Sequence, residues 1–330
     1  MKYYLGLDVG GTNLTAGIVD EDFNIIAKES IPAEAGRPIK RITDDMINVT
    51  KTVIKAAGKE DYEFGSWGIG MPSLVNPRTN LLVHANCFGW RNVPIYSYLE
   101  NRLPYPVYIE NDANCAALGE VMIGSARGLS NVLVVTLGTG VGSGIISNGR
   151  IFMGGDGLGA AFGHTKLVYK GKMCSCGQMG CVDTYCSATG LIDMAKETIL
   201  KYKDSVLYEL CGNDFTALDA RHIFEALEIG DEAATRIFNE YVDLLAAALG
   251  NYTALFRPEA IIVGGGVAGA GEVLIKPLRE RLALNTFAAD EIGIPEIRIA
   301  EKGNDAGIIG AAFLAEYKNN KGRESKNEKE

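Results

Sequence analysis

Short apolar runs alternate with amphipathic stretches along the chain. Residues 3–7 are apolar, a glycine-threonine turn interrupts the pattern at 10–12, and apolar residues return at 14–19. This pattern predicts two strands joined by a tight turn. In residues 39–54 the apolar side chains recur at steps of three and four, which predicts an amphipathic helix that ends near Gly58. The alternation of strands and helices indicates the α/β class.

The second half of the chain opens in the same way as the first. A strand is predicted at 131–137, a glycine-threonine turn at 138–140 and another strand at 144–146. This weak internal repeat indicates two related lobes, and the hairpin at the start of each predicts a mixed sheet. Further apolar patterns predict strands at 65–71, 106–109 and 260–263 and helices at 113–123, 231–256 and 306–317.

Length and charge narrow the class of protein. A chain of 330 residues, 47% of them hydrophobic, exceeds what one hydrophobic core usually organises, so we expect a globular enzyme with two domains. The 41 acidic residues outnumber the 32 basic ones, for a net charge of −9. This balance argues against nucleic acid or an anionic membrane as the main partner. It does not exclude a small anionic ligand, which needs only a few local donors.

The N-terminus and the cysteines bear on the location of the protein. No run approaches the ~20 apolar residues that span a bilayer, and Asp8 comes too early for a secretory signal. Seven cysteines are an odd number, and a disulfide framework is not expected in so large a chain, so we expect a reducing cytoplasm. We expect four isolated cysteines to be buried small hydrophobic residues: Cys87, Cys115, Cys186 and Cys211.

Two glycine turns are candidate phosphate-binding elements. Asp8-Val-Gly10-Gly11-Thr12-Asn13 lies between two predicted strands, and Gly138-Thr139-Gly140 lies between two others. Glycines let successive backbone N–H groups point into one concavity, which suits phosphate oxygens. Thr12 adds a hydroxyl donor, and Asp8 could hold Mg²⁺ through water. The alternative for either turn alone is a simple tight hairpin.

A third glycine-rich turn, Gly264–Gly269, contains a formal G-x-G-x-x-G after the strand predicted at 260–263. We reject a dinucleotide-binding interpretation, because the acidic residue expected about 20 positions later would be near Asp290, after a poor strand. The turn is instead consistent with backbone lying against a nucleotide's ribose or base. The P-loop pattern G-x-x-x-x-G-K-[ST] is absent from the sequence.

A loop between residues 174 and 181 carries three thiols. Cys174, Cys176 and Cys181 lie on one loop whose glycines, Gly177 and Gly180, permit tight folding, and His164 lies ten residues upstream of Cys174. Three sulfurs and one imidazole match a closed, structural zinc site with tetrahedral geometry. The alternative is three unrelated free cysteines, which is less consistent with their spacing.

Asp112 stands where a predicted strand ends and a helix begins. The simpler interpretation is that it caps the helix N-terminus, with Asn111 and Asn114 as turn residues. A carboxylate at the carboxyl end of a strand, between two lobes, is also where a general base for a hydroxyl nucleophile would lie. The residue types alone do not decide between these roles.

Taken together, the motifs resemble those of the ROK family (repressor, ORF, kinase), and within it the bacterial ATP-dependent glucokinases. The resemblance runs in collinear order from residue 4 to about residue 316. It implies a two-lobed actin/hexokinase-like (ribonuclease H-like) fold in which ATP and a sugar meet in the cleft. The matching motifs are Asp8-x-Gly10-Gly11-Thr12, Glu110-Asn111-Asp112, Leu137-Gly138-Thr139-Gly140-x-Gly142, Gly163-His164, Cys174-x-Cys176-Gly-x-x-Gly-Cys181 and Gly264-Gly265-Gly266.

The resemblance also implies a role for each matching residue. Asp112 would be the general base that accepts the proton of a hexose 6-hydroxyl as that oxygen attacks the γ-phosphorus of ATP. His164 would bind zinc through one ring nitrogen and face the sugar with the other. The nucleotide and its Mg²⁺ would contact Asp8, Gly10, Gly11, Thr12, Asn13, Gly138, Thr139, Gly140, Gly264, Gly265, Gly266 and Asn304. The sugar would contact Ser73, Asn86, Asn111, Asp112, His164 and Asp183.

Two positions depart from the family pattern. The family usually has Glu-x-Gly-His before the zinc loop, whereas this chain has Ala161 at the glutamate position. It usually has Glu where this chain has the shorter Asp183. Losing a charged acceptor at a sugar hydroxyl commonly costs about 1.5–3 kcal/mol. Glucose is the first expectation, and allose, fructose, mannose, N-acetylmannosamine and N-acetylglucosamine stay open.

Two functions other than a kinase are considered, a transcription repressor and a sugar-binding protein without turnover. A transcription repressor of this family would carry a DNA-binding helix-turn-helix before the first phosphate strand, for which Asp8 leaves no room. Ala161 motivates a sugar-binding protein without turnover. We expect a small lobe at 1–112, completed by a helix at about 304–317, a large lobe at 113–303 and a disordered tail at 318–330. Relatives in the family are often dimers or tetramers, which implies a homo-oligomer.

Overall fold

The computed structural model describes residues 1–303 and 305–319. Its strands are β1 (Tyr3–Val9), β2 (Asn13–Asp20), β3 (Ile25–Pro32), β4 (Trp67–Met71), β5 (Leu74–Val75), β6 (Leu82–Ala85), β7 (Trp90–Val93), β8 (Val107–Asn111), β9 (Val132–Leu137), β10 (Val141–Ser147), β11 (Arg150–Ile151), β12 (Ala260–Gly264) and β13 (Glu296–Ile299). Its α-helices are α1 (Ile39–Ala56), α2 (Ile95–Leu99), α3 (Asp112–Ile123), α4 (Val182–Cys186), α5 (Ala188–Ile199), α6 (Leu207–Leu210), α7 (Ala220–Glu228), α8 (Glu232–Phe256), α9 (Glu272–Leu284), α10 (Ala289–Ile292) and α11 (Asp305–Ala312). The predicted α/β class is confirmed.

The first sheet is mixed. Its order is β3-β2-β1-β4-β8, in which β1, β4 and β8 are parallel neighbours and β2 and β3 run antiparallel. The strand β2 returns from β1 through the first glycine turn, whereas β4 and β8 follow longer connections, as parallel pairing requires. The predicted hairpin and the predicted mixed sheet are both present.

The helix α1 covers the antiparallel side of this sheet. It packs against β2 and β3 and buries Ile42, Met46 and Val53. Burial of such a side chain contributes roughly 1.5–3 kcal/mol, so the apolar stripe of α1 holds the helix in place. The helix ends at Ala56, and Gly58 adopts a φ of 60°, a conformation that glycine reaches without a Cβ clash. The predicted end of this helix is confirmed.

The second sheet has the order β11-β10-β9-β12-β13. The strands β9, β12 and β13 are parallel, and β10 and β11 form an antiparallel hairpin. Neighbouring parallel strands end at the same edge of a sheet, so the turns that follow β9 and β12 lie close together. The small sheet β5-β6-β7 was not predicted, because its strands are only two to four residues long.

The chain divides into two compact units. Unit 1 contains Met1–Gly128, Gly144–Ala160 and the segment from Glu301 onward, and unit 2 contains Leu129–Ser143 and Ala161–Ala300. This division differs from the predicted one, which assigned residues after 112 to the large lobe. In the structure α3 belongs to unit 1.

Close helix packing explains where α3 belongs. A Cβ atom at Gly119 of α3 would lie 2.3 Å from the carbonyl oxygen of Ala306, and one at Gly310 of α11 would lie 1.8 Å from the carbonyl oxygen of Cys115. The two helices therefore approach through glycines, at a distance that no larger residue permits.

Asn304 and residues 320–330, which include most of the predicted tail, lie outside the described residues.

Several helices of unit 2 were not predicted, among them α5, α7 and α9. The start of α7 carries a recognisable signal, a capping box formed by Asp219 and His222.

None of the helices in residues 1–303 and 305–319 has both the length and the apolar composition that a membrane span requires.

Candidate functional site

Three parallel strands of unit 1 bring polar residues to one edge of the first sheet. Asp8 of β1 lies opposite Gly70 of β4 in the strand register, and Gly70 lies opposite Glu110 of β8. Asp112 begins α3 directly after β8. A Cβ atom at Gly70 would lie 3.5 Å from the Cα atom of Asp112, so glycine keeps this edge free of a third side chain. The strand order thus gathers Asp8 and Asp112.

Both of these carboxyl groups have raised pKa values. Burial, and secondarily the charge of Asp112, raises the pKa of Asp8 to about 7. Burial also raises the pKa of Asp112, although a hydrogen bond from the Ala113 N–H to its Oδ1 atom (2.9 Å) opposes the shift. The helix α11 lies close to Asp8. A Cβ atom at Gly307 of this helix would lie 3.3 Å from Oδ1 of Asp8. A half-buried carboxylate pair of this kind can hold a proton or a cation.

The interpretation of Asp112 as a helix cap is wrong. The N-cap of α3 is Asn111, whose Oδ1 atom accepts a hydrogen bond from the N–H of Asn114 (3.1 Å). Asn111 also donates from Nδ2 to the carbonyl oxygen of Ser73 (3.3 Å). Because the neighbouring asparagine caps the helix, the Asp112 carboxylate is available for another role.

The first glycine turn closes on its own backbone. The N–H of Gly10 donates to the carbonyl oxygen of Asn13 (2.8 Å), while Gly11, Thr12 and Asn13 are exposed. A Cβ atom at Gly11 would lie 3.5 Å from the Cβ atom of Cys87. The expectation that Cys87 is buried is wrong, since its side chain reaches the surface beside this turn, whereas Cys115, Cys186 and Cys211 are buried as expected.

Two further residues of unit 1 were predicted to contact a sugar. Ser73 is buried just after β4, and its Oγ atom donates to the carbonyl oxygen of Met71 (3.4 Å). Asn86 is exposed and opens a short 3-10 turn that ends at Gly89 in the left-handed region. Ser73 is tied to Asn111 through the hydrogen bond described above, so these two residues form one connected group.

In unit 2 the second glycine turn is held from outside. The carbonyl oxygen of Gly138 accepts from the N–H of Ala188 (2.8 Å), and that of Thr139 accepts from Oγ1 of Thr189 (2.8 Å). The C=O and N–H of one trans peptide point in opposite directions. The N–H groups of Thr139 and Gly140 therefore point away from the start of α5. Two successive N–H groups that point the same way suit an anion such as phosphate.

The third glycine turn lies against the second one. Gly265 has a φ of 83°, and a Cβ atom there would lie 2.6 Å from the backbone of Leu137, the last residue of β9. Only glycine allows this approach. The register of β9 and β12, in which Gly264 lies opposite Thr136, brings the two turns together. Asn304, the remaining predicted nucleotide contact, lies outside the described residues.

A cluster of three thiols and one imidazole forms the other part of unit 2. The ligand atoms of His164, Cys174, Cys176 and Cys181 all lie within 4.8 Å of one another. Nδ1 of His164 is 3.8 Å from Sγ of Cys174, and the Sγ atoms of Cys176 and Cys181 are 3.7 Å apart. Tetrahedral ligands at ~2.3 Å from a metal ion stand roughly 3.8 Å apart, so the cluster fits one ion.

Glycines shape the loop that carries these thiols. Gly177 and Gly180 have φ values of 87° and 76°, and a Cβ atom at Gly180 would lie 1.7 Å from the carbonyl oxygen of Val168. The N–H of Cys174 donates to the carbonyl oxygen of Gln178 (2.8 Å), which closes the turn between the thiols. The backbone of the loop itself therefore brings the three cysteines together.

Asp183 lies between this cluster and the second glycine turn. Its Oδ1 atom accepts from the N–H of Val141 (2.6 Å), and its Oδ2 atom is 3.8 Å from Sγ of Cys174. Ala161 is exposed and directly precedes the 3-10 turn Phe162–His164. Its methyl group offers no acceptor at the position where the resemblance implies a carboxylate.

Two groups with clear structural roles were missed from the sequence. Glu120 is buried in α3, and its carboxylate accepts from the N–H groups of Ser125, Glu301 and Lys302. A single glutamate within an otherwise apolar stretch was the available signal. Thr189 holds the second turn, and its place after Ser187, the N-cap of α5, was the corresponding signal.

Comparison with known proteins extends this picture. The sequence profile of the ROK family matches residues 4–318. The chain is 36% identical to the glucokinase of Thermotoga maritima over 94% of this chain and 96% of that one. It is 31% identical to the N-acetyl-D-glucosamine kinase of Pectobacterium atrosepticum over 94% and 98% of the two chains. A ROK family glucokinase from Streptomyces griseus, solved with glucose and AMPPNP, superposes with a TM-score of 0.82 at 31% identity and covers 94% of this chain and 98% of its own.

Proposed function

Because this chain belongs to the ROK family across residues 4–318, we propose that it transfers the γ-phosphoryl group of ATP to the 6-hydroxyl of a hexose, with glucose as the first candidate. The half-buried carboxylate pair Asp8 and Asp112, at the end of the parallel strands, carries the proposal. The glucokinases that resemble the chain over nearly its full length support the same chemistry.

Asp112 is the proposed general base. It accepts the proton of the sugar hydroxyl while that oxygen attacks the γ-phosphorus and the bond to the β-phosphate oxygen breaks. A raised pKa suits this role, because a base works best when its pKa lies close to the operating pH. Asn111 caps α3 and so leaves the carboxylate free for the proton.

The glycine turns are the proposed phosphate contacts. In unit 2 the aligned N–H groups of Thr139 and Gly140 would stabilise negative charge on phosphoryl oxygens. In unit 1 the turn Gly10–Asn13 would contribute backbone donors and the hydroxyl of Thr12. Asp8 would hold Mg²⁺ through water, which fits a carboxyl group whose pKa is otherwise raised by burial. Gly265, Gly266 and Asn304 would flank the adenosine.

The thiol cluster is the proposed zinc site. The three sulfurs and Nδ1 of His164 would supply four ligands, so the ion would be structural and would have no open position. It would hold the segment that carries His164, whose second ring nitrogen is the proposed sugar contact. Ser73, Asn86, Asn111 and Asp183 are the other proposed sugar contacts.

The identity of the hexose depends on Ala161. Without this carboxylate, the affinity for any sugar whose hydroxyl needs an acceptor at position 161 falls by roughly ten- to a hundredfold. Allose, fructose, mannose, N-acetylmannosamine and N-acetylglucosamine are therefore tested beside glucose. A thiol cluster of this kind fits a reducing cytoplasm. A homo-oligomeric state, dimer or tetramer, stays a prediction.

A panel of hexoses tests the proposal. Each sugar is offered with ATP and Mg²⁺ in a coupled assay for ADP, and its binding is measured separately by isothermal titration calorimetry. ADP release that depends on one hexose, with the phosphate found on its 6-oxygen, supports the proposal. Sugar binding without ADP supports the alternative of a binding protein without turnover. The absence of both results overturns the proposal.

A further inference from the structure

Asp183 has two neighbours that a sugar contact does not need. Its Oδ1 atom accepts a hydrogen bond from the N–H of Val141 (2.6 Å). Val141 is the residue that directly follows the turn Gly138–Gly140. A Cβ atom at Gly140 would lie 2.7 Å from the same oxygen. The carboxylate is therefore packed against the backbone of the turn, and glycine at 140 makes room for it.

The segments that carry the metal ligands touch the same stretch of backbone. A Cβ atom at Gly163, next to His164, would lie 2.2 Å from the carbonyl oxygen of Val141. The N–H of Phe162 donates to Oγ of Ser143 (3.1 Å). The segment around His164 thus packs along the first residues of β10.

The thiol loop reaches the turn by a second route. Cys181 directly precedes α4, and Asp183 lies in the first turn of this helix. The N–H of Val182 donates to the carbonyl oxygen of Thr165 (3.0 Å), which ties the start of α4 to the His164 segment. A metal ion that joins His164 to Cys181 would therefore fix the backbone from which the Asp183 side chain projects.

We propose that Asp183 is a positioning residue for the turn Gly138–Gly140. Through Asp183 the thiol cluster, when it holds a metal ion, sets the affinity of this turn for the nucleotide. This inference rests on the proposed function. Asp183 accepts the N–H of Val141 and so fixes the peptide that ends the turn. The carbonyl groups of Gly138 and Thr139 are held by α5 on the other side. Together these contacts orient the two N–H groups that face the phosphates.

This role differs from the sugar contact that the family resemblance implies. If Asp183 serves the turn, its removal weakens nucleotide binding even when no sugar is present. If it serves only the sugar, nucleotide binding without sugar is unchanged and the hexose KM rises. The two roles therefore separate in one binding measurement.

The first experiment compares Asp183→Ala, Asp183→Asn and wild type. The dissociation constant of AMPPNP with Mg²⁺ is measured without sugar by titration calorimetry, and the metal content of each protein is determined. We expect Asp183→Ala to weaken AMPPNP binding about tenfold, and Asp183→Asn, which keeps an oxygen acceptor, by less than about threefold. Asp193→Ala, which removes an exposed aspartate of α5, is the matched control and should change nothing.

Thr189→Val provides a second test that leaves the metal loop intact. It removes the hydroxyl that donates to the carbonyl oxygen of Thr139 while it keeps the side-chain shape. We expect a loss of AMPPNP affinity of about threefold or more with unchanged metal content. An unchanged affinity would show that the turn does not depend on contacts from this side.

The last experiment removes the metal. A zinc-selective chelator is added with Mg²⁺ kept in excess, and AMPPNP binding is measured again without sugar, with the thermal unfolding midpoint as a check that both units stay folded. We expect wild type to lose about tenfold in affinity and Asp183→Ala to lose little more, because both changes release the same turn. Equal losses in the two proteins, or no loss in either, overturn the proposal.

The outcomes keep this inference separate from the proposed function. Wild type that phosphorylates a hexose while Asp183→Ala binds AMPPNP normally contradicts the inference and leaves the function intact. A wild type that produces no ADP with any hexose contradicts the proposed function. The inference then still stands or falls on AMPPNP binding, which needs no turnover.

Discussion

The two glycine turns look alike in sequence, but the two units support them differently. In unit 1 the turn after β1 closes through the hydrogen bond from Gly10 to Asn13, and its neighbour on the strand is Asp8. In unit 2 the turn after β9 is held by α4 and α5, and its neighbours are Asp183 and the thiol cluster. Unit 1 therefore supplies carboxylates, and unit 2 supplies oriented dipoles.

This difference teaches how a repeated element can be used for two purposes. A carboxylate beside a buried strand end handles protons and cations, because burial raises its pKa. Backbone N–H groups carry no titratable proton and stabilise phosphate charge only when their orientation is fixed. A rigid support is thus needed in unit 2, whereas a low-dielectric environment is needed in unit 1.

The largest effect is expected from Asp112→Asn in unit 1. Loss of a general base typically costs 10²–10⁴-fold, so we expect kcat to fall about a thousandfold. The affinity for AMPPNP should be unchanged, because the contacts of the unit 2 turn are not altered. Steady-state kinetics beside titration calorimetry check both statements. Turnover within about tenfold of wild type would contradict the assignment of the base.

The second prediction concerns the pH dependence of stability. The folded-state pKa of Asp8 is raised to about 7 from its ordinary value of 3.8. The folded protein therefore binds this proton more tightly than the unfolded chain does, and the contribution to stability is lost as the pH rises through 7. Asp8→Asn removes this loss and should stabilise the metal-free, nucleotide-free protein by roughly 2–4 kcal/mol at pH 8.

Chemical denaturation at pH 5 and at pH 8 measures this effect. The difference between Asp8→Asn and wild type should be smaller at pH 5 than at pH 8, because the loss accumulates between the unfolded pKa of 3.8 and the folded pKa of about 7 and is complete above it. Asp8→Asn should also lose activity, since a neutral amide is a poorer partner for Mg²⁺. An equal stability difference at both pH values would show that the Asp8 carboxyl does not titrate in this range.

The third prediction compares two adjacent glycines of unit 2. Gly265 has a φ of 83° and lies against the Leu137 backbone, whereas a Cβ atom at Gly266 would meet nothing within 4 Å. We expect Gly265→Ala to lower the free energy of unfolding by about 2–3 kcal/mol and Gly266→Ala to change it by less than about 0.5 kcal/mol. Urea denaturation of both variants makes the comparison, and equal effects would contradict the close approach of the two turns.

The smallest effect is expected from Ala161→Glu. The change restores the acceptor that the family usually has before the His164 segment. If glucose is the substrate, its KM should fall about tenfold while AMPPNP affinity without sugar stays constant. Ala161→Gln, which adds a similar length without the charge, is the control. A fall in the KM of another hexose instead would identify that sugar as the one whose hydroxyl faces position 161.

Much of the fold could be predicted because its signals are local. The apolar periodicity of α1, the strand-turn-strand opening of each half and the long helix α8 all depend on residues within a few positions of one another. The thiol loop was recognisable for the same reason, since Cys174, Cys176 and Cys181 lie within one short segment. Short elements such as β5 to β7 were missed, because two to four residues show no period.

What the amino-acid order determined by itself was therefore part of the set of elements, the glycine turns and the composition of the thiol cluster. Tertiary structure alone decided which residues act together. Asp8 and Asp112 are neighbours only because β1, β4 and β8 are ordered side by side, and Asp183 meets Val141 only because the fold brings the first turn of α4 to the start of β10. The physical reason is that such contacts depend on strand order, register and packing between distant segments, whereas periodicity and turn chemistry act within a few residues.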